Sequence, residues 1–129
     1  MKKILVTGAS GQLGQCLRQQ LQNPTNISCY FATKEDLDIT NNEAVKSFFS
    51  EYNFDYCINT AAYTNVEKAE SEQKMAFLVN AEGAHNIAKA CNEHNVVLLH
   101  ISTDYVFDGT KKTPYLEEDP TNPLNVYGA

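Results

Sequence analysis

The sequence predicts a doubly wound α/β fold, a parallel sheet with helices on both faces. Short apolar runs alternate with stretches whose apolar residues recur at helical spacing. The first run leads straight into three glycines spaced three apart, and no repeat or low-complexity tract interrupts the alternation before residue 108. At 129 residues, 43% hydrophobic and 20% charged, the chain has the length and composition of one domain. A domain of this size buries about two-thirds of its unfolded surface, enough for a core.

Taken in order, Ile4, Leu5 and Val6 form a continuous apolar run closed by Thr7 and Gly8, as in a strand buried on both faces. Leu13, Cys16, Leu17 and Leu21 recur at helical spacing until Asn23 and Pro24 stop them. Residues 27–32 read as the second strand. Thr40, Asn41, Asn42 and Glu43 have the spacing of a capping box, with Val45, Phe48, Phe49 and Tyr52 on one helical stripe behind it. The run DYCINTAA is a third strand entering a loop. A long helical pattern covers 66–94, with Ala76, Val79, Gly83, Ile87 and Cys91 on one face. Residues 96–101, the most apolar run in the chain, make a fourth strand.

Charge and cysteine usage exclude several classes of function. A formal net charge of -6 argues against nucleic acid or an anionic membrane as partner, since both call for a basic face. No apolar run approaches the roughly 18 residues of a membrane span, and the apolar part of MKKILVTGAS is too short for a signal peptide. Cys16, Cys29, Cys57 and Cys91 are widely spaced, with no CxxC and no clustering with histidine. That excludes the usual zinc spacings and predicts no metal site; each is expected to be a buried free thiol in a reducing cytoplasm.

The glycine turn carries the chemistry. In TGASGQLG, Gly8 permits a tight strand-to-helix turn, Gly11 lets backbone approach a pyrophosphate, and Gly14 lets the helix lie close. Free N–H groups around Gln12 and Leu13 then point at phosphates from the helix N-terminus. Such glycines alone are weak evidence; after a buried strand, before an amphipathic helix and inside a βαβ unit they become specific for a dinucleotide, hence a Rossmann-like NAD(P)-binding domain. A site for NAD carries an acidic residue about 20 positions further on. Here Lys34 is the first charge after the second strand, which suits the 2′-phosphate of NADP, but Glu35 and Asp36 follow at once. NADPH and NADH both stay open. Residues Ala61, Ala62, Tyr63 and Thr64 fall at the C-terminal end of a parallel strand, where ligands of open α/β sheets bind.

TGASGQLG, NTAAYT, NAEGAHNIAKAC, HISTDYVFDG and PLNVYGA together resemble the extended short-chain dehydrogenase/reductase family, over essentially the whole chain. The pair STDYVFDG and PLNVYG is far more specific than the glycines. The resemblance implies hydride transfer from NADPH or NADH to the C4 carbonyl of a nucleotide sugar, dTDP-4-dehydrorhamnose. Tyr127 would supply the proton to the carbonyl oxygen, Thr103 would orient the carbonyl, and Asp104 would touch the sugar. Asp38 and Ile39 match the family's adenine contacts, and Asn80 matches a helix asparagine that shapes the active site in relatives. It also implies a homodimer and admits magnesium, for which no carboxylate cluster in the sequence argues. A tyrosine hydroxyl has a reference pKa of about 10, so the family's Y-x-x-x-K pair adds a lysine on the same helix face, whose charge favours the phenolate.

That lysine falls beyond Ala129. The expectation is therefore an N-terminal stretch of a longer enzyme: residues 1–129 are an incomplete dinucleotide-binding domain, largely inactive alone, with the substrate-binding half elsewhere. Two rivals share the fold. A regulatory subunit that binds a dinucleotide without turning it over would lack the lysine. An epimerase or dehydratase acting on another sugar nucleotide is the second rival, and dehydratases are expected to carry further acidic residues after the active-site threonine, where Asp104 is followed by Tyr105. His85, His94 and His100 have no spaced partners and read as structural or surface. Without the tyrosine–lysine helix, the helix around residues 76–87 is expected to expose an apolar patch, so the isolated chain should self-associate. Sedimentation at high concentration checks this, and a strictly monomeric profile would contradict it.

Overall fold

A computed structural model describes residues 1–22 and 25–129. The helix stop expected at Asn23 and Pro24 lies outside the described residues. Four parallel strands, β1 (Lys2–Thr7), β2 (Ile27–Phe31), β3 (Tyr56–Asn59) and β4 (Val97–His100), lie in the order β2-β1-β3-β4. Register runs Leu5 against Tyr30 and Cys57, and Cys57 against Leu98. Between the strands lie α1 (Gln12–Gln20), α2 (Asn42–Glu51), α3 (Val66–Ser71), α4 (Gln73–Phe77) and α5 (Ala84–Glu93). The chain leaves β1 for β2 on one side and returns past β1 to β3 on the other. Right-handed crossovers then set α2 and α5 on one face and α1 on the opposite face.

The core lies under α2 and α5. Leu5 and Cys57 from the sheet, Val45 and Phe49 from α2, and Ile87, Ala90 and Cys91 from α5 form one buried cluster, joined by Leu37 and Ile39. Tyr30, Phe48 and Phe54 pack on its edge, with Tyr30 and Phe48 edge-to-face at 5.3 Å.

Several expectations change in detail. Asn41, not Thr40, caps α2, its Oδ1 accepting from Ala44 N at 3.1 Å, because the Thr40 hydroxyl is already given to Asp38. The 66–94 pattern is not one helix. It breaks at Glu72, whose side chain is drawn to Tyr63 and Lys68, and it widens into a π-helical turn at Leu78–Gly83. Cys57 and Cys91 are buried, but Cys16 is exposed on α1, where Gly14 alone is buried.

The apolar patch expected around 76–87 is present in part, with Phe77 45% and Leu78 39% exposed beside Met75 at 45%. Ala76 and Ile87 are covered, at 2% and 0% exposure. A second exposed apolar area is the α1 face of the sheet near β4, where Val97 is 55% and Leu99 48% exposed, because among the described residues α1 covers only the β1 side of that face. Phe49→Ala should lower the unfolding free energy by about 3–5 kcal/mol, read as a shift in the urea midpoint.

Candidate functional site

Ligands of open α/β sheets bind beyond the C-terminal ends of the strands where the connections diverge. That point lies between β1 and β3, and a cavity of about 790 Å³ opens there. The glycine turn forms its floor. Gly8 has φ +65°, and a Cβ on it would lie 2.6 Å from Ala61 N, so the turn after β1 and the loop after β3 touch backbone to backbone. A Cβ on Gly14 would lie 2.5 Å from Gly8 O and 2.7 Å from Ala9 Cα, so α1 packs directly on the turn. Gly11 precedes α1 without a side-chain cap, which leaves the first-turn N–H groups free to receive an anion.

Gly8, Gly11, Gln12, Leu13, Lys34, Asp38, Ile39, Ala61, Ala62, Tyr63, Thr64 and Tyr127 all line this cavity. Gly14 does not, since it is buried beneath the turn. The carboxylates after Lys34 are placed differently from one another. Asp36 accepts from Thr33 N and Thr33 Oγ1, both at 2.9 Å, and these bonds hold its carboxyl below the usual range. Asp38 Oδ1 accepts from Thr40 Oγ1 at 2.7 Å and Thr40 N at 3.0 Å; the hydroxyl is the main cause of its lowered pKa, and one oxygen stays free. Asp36 does not line the cavity, so Lys34 stands at its rim beside a carboxylate already occupied in a turn.

Thr103 and Tyr127 share a smaller cavity of about 180 Å³, with Asn80, His100 and Ser102. Thr103 Oγ1 accepts from Tyr105 N at 3.2 Å and caps the 3₁₀ turn Asp104–Val106, which leaves its hydroxyl proton free to donate. Tyr127 borders both cavities and lies edge-to-face on Tyr105, 5.5 Å between ring centres. Asp104 is exposed and lines neither cavity. Asn80 clamps the 61–64 loop, its Oδ1 accepting from Tyr63 N at 2.7 Å and its Nδ2 donating to Tyr63 O at 3.0 Å.

Sequence reasoning missed Ser10, Leu37, Thr40, Thr60, Met75 and Val79 on the large cavity, and His100 on the small one. Thr60 and Ser102 stand beside residues already singled out, so adjacency was a usable signal. Met75 and Val79 arrive from across the fold and carried none. His100 Nδ1 lies 3.1 Å from Asn59 Nδ2, and Asn59 Oδ1 accepts from Thr7 Oγ1 at 2.5 Å.

A family model described as the RmlD substrate binding domain matches residues 1–129. A dTDP-4-dehydrorhamnose reductase of Aggregatibacter actinomycetemcomitans is 43% identical over 128 residues, covering 99% of this chain and 44% of that protein. A dTDP-4-keto-6-deoxy-D-glucose reductase of Streptomyces niveus is 41% identical over 96% of this chain and 43% of its own length. Among solved structures, a Bacillus anthracis dTDP-4-dehydrorhamnose reductase in complex with NADP superposes with a TM-score of 0.95 at 41% identity, over 99% of this chain and 46% of that one. The chain thus spans less than half the length of these relatives.

Tyr63 yields a pH prediction. Burial first, and then its hydroxyl bond to Glu72 Oε2 at 2.7 Å, push its pKa up to about 12. A raised folded-state pKa stabilises the fold below the unfolded value of about 10, and that contribution is lost as pH rises through about 12. Absorbance titration should show a late phenolate step near 12 that Tyr63→Phe removes and Glu72→Gln moves to lower pH.

Proposed function

Since this chain belongs to the RmlD substrate binding domain family, we propose that it is the dinucleotide-binding part of an NADPH- or NADH-dependent reductase that converts dTDP-4-dehydrorhamnose to dTDP-L-rhamnose. The observation that carries this reading is the large cavity, which gathers the glycine turn, Lys34, Asp38, Ile39 and the 61–64 loop under Tyr127. Its residues fit a dinucleotide. Gly8 and Gly11 bring bare backbone to the surface where a pyrophosphate needs close approach, and uncapped N–H groups at the start of α1 favour its charge. Lys34 would meet a 2′-phosphate, the free oxygen of Asp38 would accept from the adenine amine, and Ile39 would contact the ring.

The bound dinucleotide supplies the hydride. The chain's own groups handle the oxygen of the carbonyl being reduced. Thr103, its Oγ1 already accepting from Tyr105 N, donates its hydroxyl proton to that oxygen and orients it. Tyr127 delivers the proton that quenches the alkoxide as charge develops. The whole protein would be a cytoplasmic homodimer serving cell-wall polysaccharide synthesis. Residues 1–129 supply the cofactor half, and the substrate-reading half is a separate part of the protein. No helix among the described residues is long and apolar enough to cross a membrane.

Calorimetric titration of the chain with NADPH and NADH tests the cofactor site. Saturable binding is expected, abolished by Gly8→Ala, while Lys34→Ala weakens NADPH about 10-fold and spares NADH. No binding of either would overturn the reading. In a protein long enough to reduce the sugar nucleotide, Tyr127→Phe should lower kcat by about 100-fold or more.

A further inference from the structure

The turn that carries Tyr127 is shaped locally but placed from a distance. Asn125 Oδ1 accepts from Gly128 N at 2.8 Å and Asn125 O from Ala129 N at 3.2 Å, which fixes the shape of the turn. The Tyr105 ring and carbonyl seat it against the 3₁₀ turn after Thr103. Neither contact relates Tyr127 to the opposite wall of the site, where Tyr63 and Asn80 hold the cofactor loop. Among the described residues, the hydrogen bond that does so is Val126 N to Glu70 Oε1, 2.9 Å across 56 residues of sequence.

Glu70 lies on α3, and α3 is tied to the cofactor loop. The next turn places Glu72 on the Tyr63 hydroxyl at 2.7 Å and on Lys68 Nζ at 3.1 Å, while Asn65 caps the helix start through Lys68 N. One short helix thus holds the loop that lines the nucleotide cavity and the N–H beside the proton donor. A carboxylate on a backbone N–H is a charge-assisted bond with a narrow range of geometry. Val126 N has no carbonyl partner within the turn, so it would turn to water if Glu70 were removed.

We propose that Glu70 is the positioning residue that sets Tyr127 at its working distance from the cofactor loop. The proposal rests on the reductase reading above for its effect on rate, but the tie itself is testable without turnover. A displacement of about 1 Å in a reacting group costs on the order of 100-fold in rate, so losing this tie should appear in kcat and leave binding alone.

Two measurements on Glu70→Ala and Glu70→Gln decide it. In the 129-residue chain, amide exchange at Val126 should speed up about 10-fold in Glu70→Ala and stay slow in Glu70→Gln, which keeps an acceptor oxygen. In the longer reductase, Glu70→Ala should lower kcat about 10- to 100-fold with KM for NADPH unchanged, and Glu70→Gln should recover most of it. Unchanged exchange at Val126 in the alanine variant overturns the tie. An unchanged kcat, a glutamine variant as impaired as alanine, or a KM that rises in step with the loss of kcat overturns the positioning role. If the unsubstituted longer protein reduces no sugar nucleotide, the functional reading fails, and the exchange result still decides the Glu70 bond.

Discussion

The contact on which the rest depends is the one between Gly8 and Ala61, where two turns meet with no side chain between them. β1 feeds the first turn and β3 the second, and the strands are paired in register from Ile4–Tyr56 to Thr7–Asn59. Any Cβ at Gly8 would force the loop after β3 off the turn and break the close approach that forms the cavity floor. Gly14 repeats the logic one layer down by seating α1 on the same turn. The crevice is therefore a consequence of strand order: the connections from β1 and β3 leave in opposite directions, and bare backbone lines the gap.

Polar groups beneath that crevice are all engaged. Thr7 and Asn59, the buried polar residues at the strand ends, bond to each other, and Thr60 Oγ1 donates to Thr7 O at 2.7 Å. Buried hydroxyls and amides cost free energy unless paired, and a paired set holds one arrangement. Asn80 does the same for the loop above by clamping both backbone groups of Tyr63. The π-helical turn that contains Asn80 departs from regular helix just where its side chain reaches the loop. Regularity is lost at the residues that build the cavity wall and regained in α5, which packs on the core.

Electrostatics follow the same local rule. A chain of net charge -6 can still host a phosphate-bearing ligand where a few groups place positive potential locally. Asp36 is held by Thr33, and one oxygen of Asp38 is held by Thr40, each bond favouring the ionised form within its own turn. Lys34 and the uncapped start of α1 supply positive groups at the mouth and ionised Asp38 a negative one, within the screening length of about 8–10 Å.

What the sequence determined by itself was local: the strand and helix alternation, the glycine turn, and the loops at 61–64 and 38–39, each written in neighbouring residues through spacing and backbone freedom. The partition of 66–94 into three helical pieces and a π turn was not legible, because its causes, Tyr63 for Glu72 and for Asn80, lie outside the segment. Helical spacing alone assigned burial to Cys16, whereas burial depends on what lies across the face. The exposed strand face at Val97 and Leu99 likewise reads as core until its cover is known. Met75 and Val79 reach the large cavity only by folding, and Glu70 meets Val126 across 56 residues, since contacts between residues far apart in sequence leave no periodic trace. Tertiary structure decided those, and with them which residues of a recognisable motif face the same space.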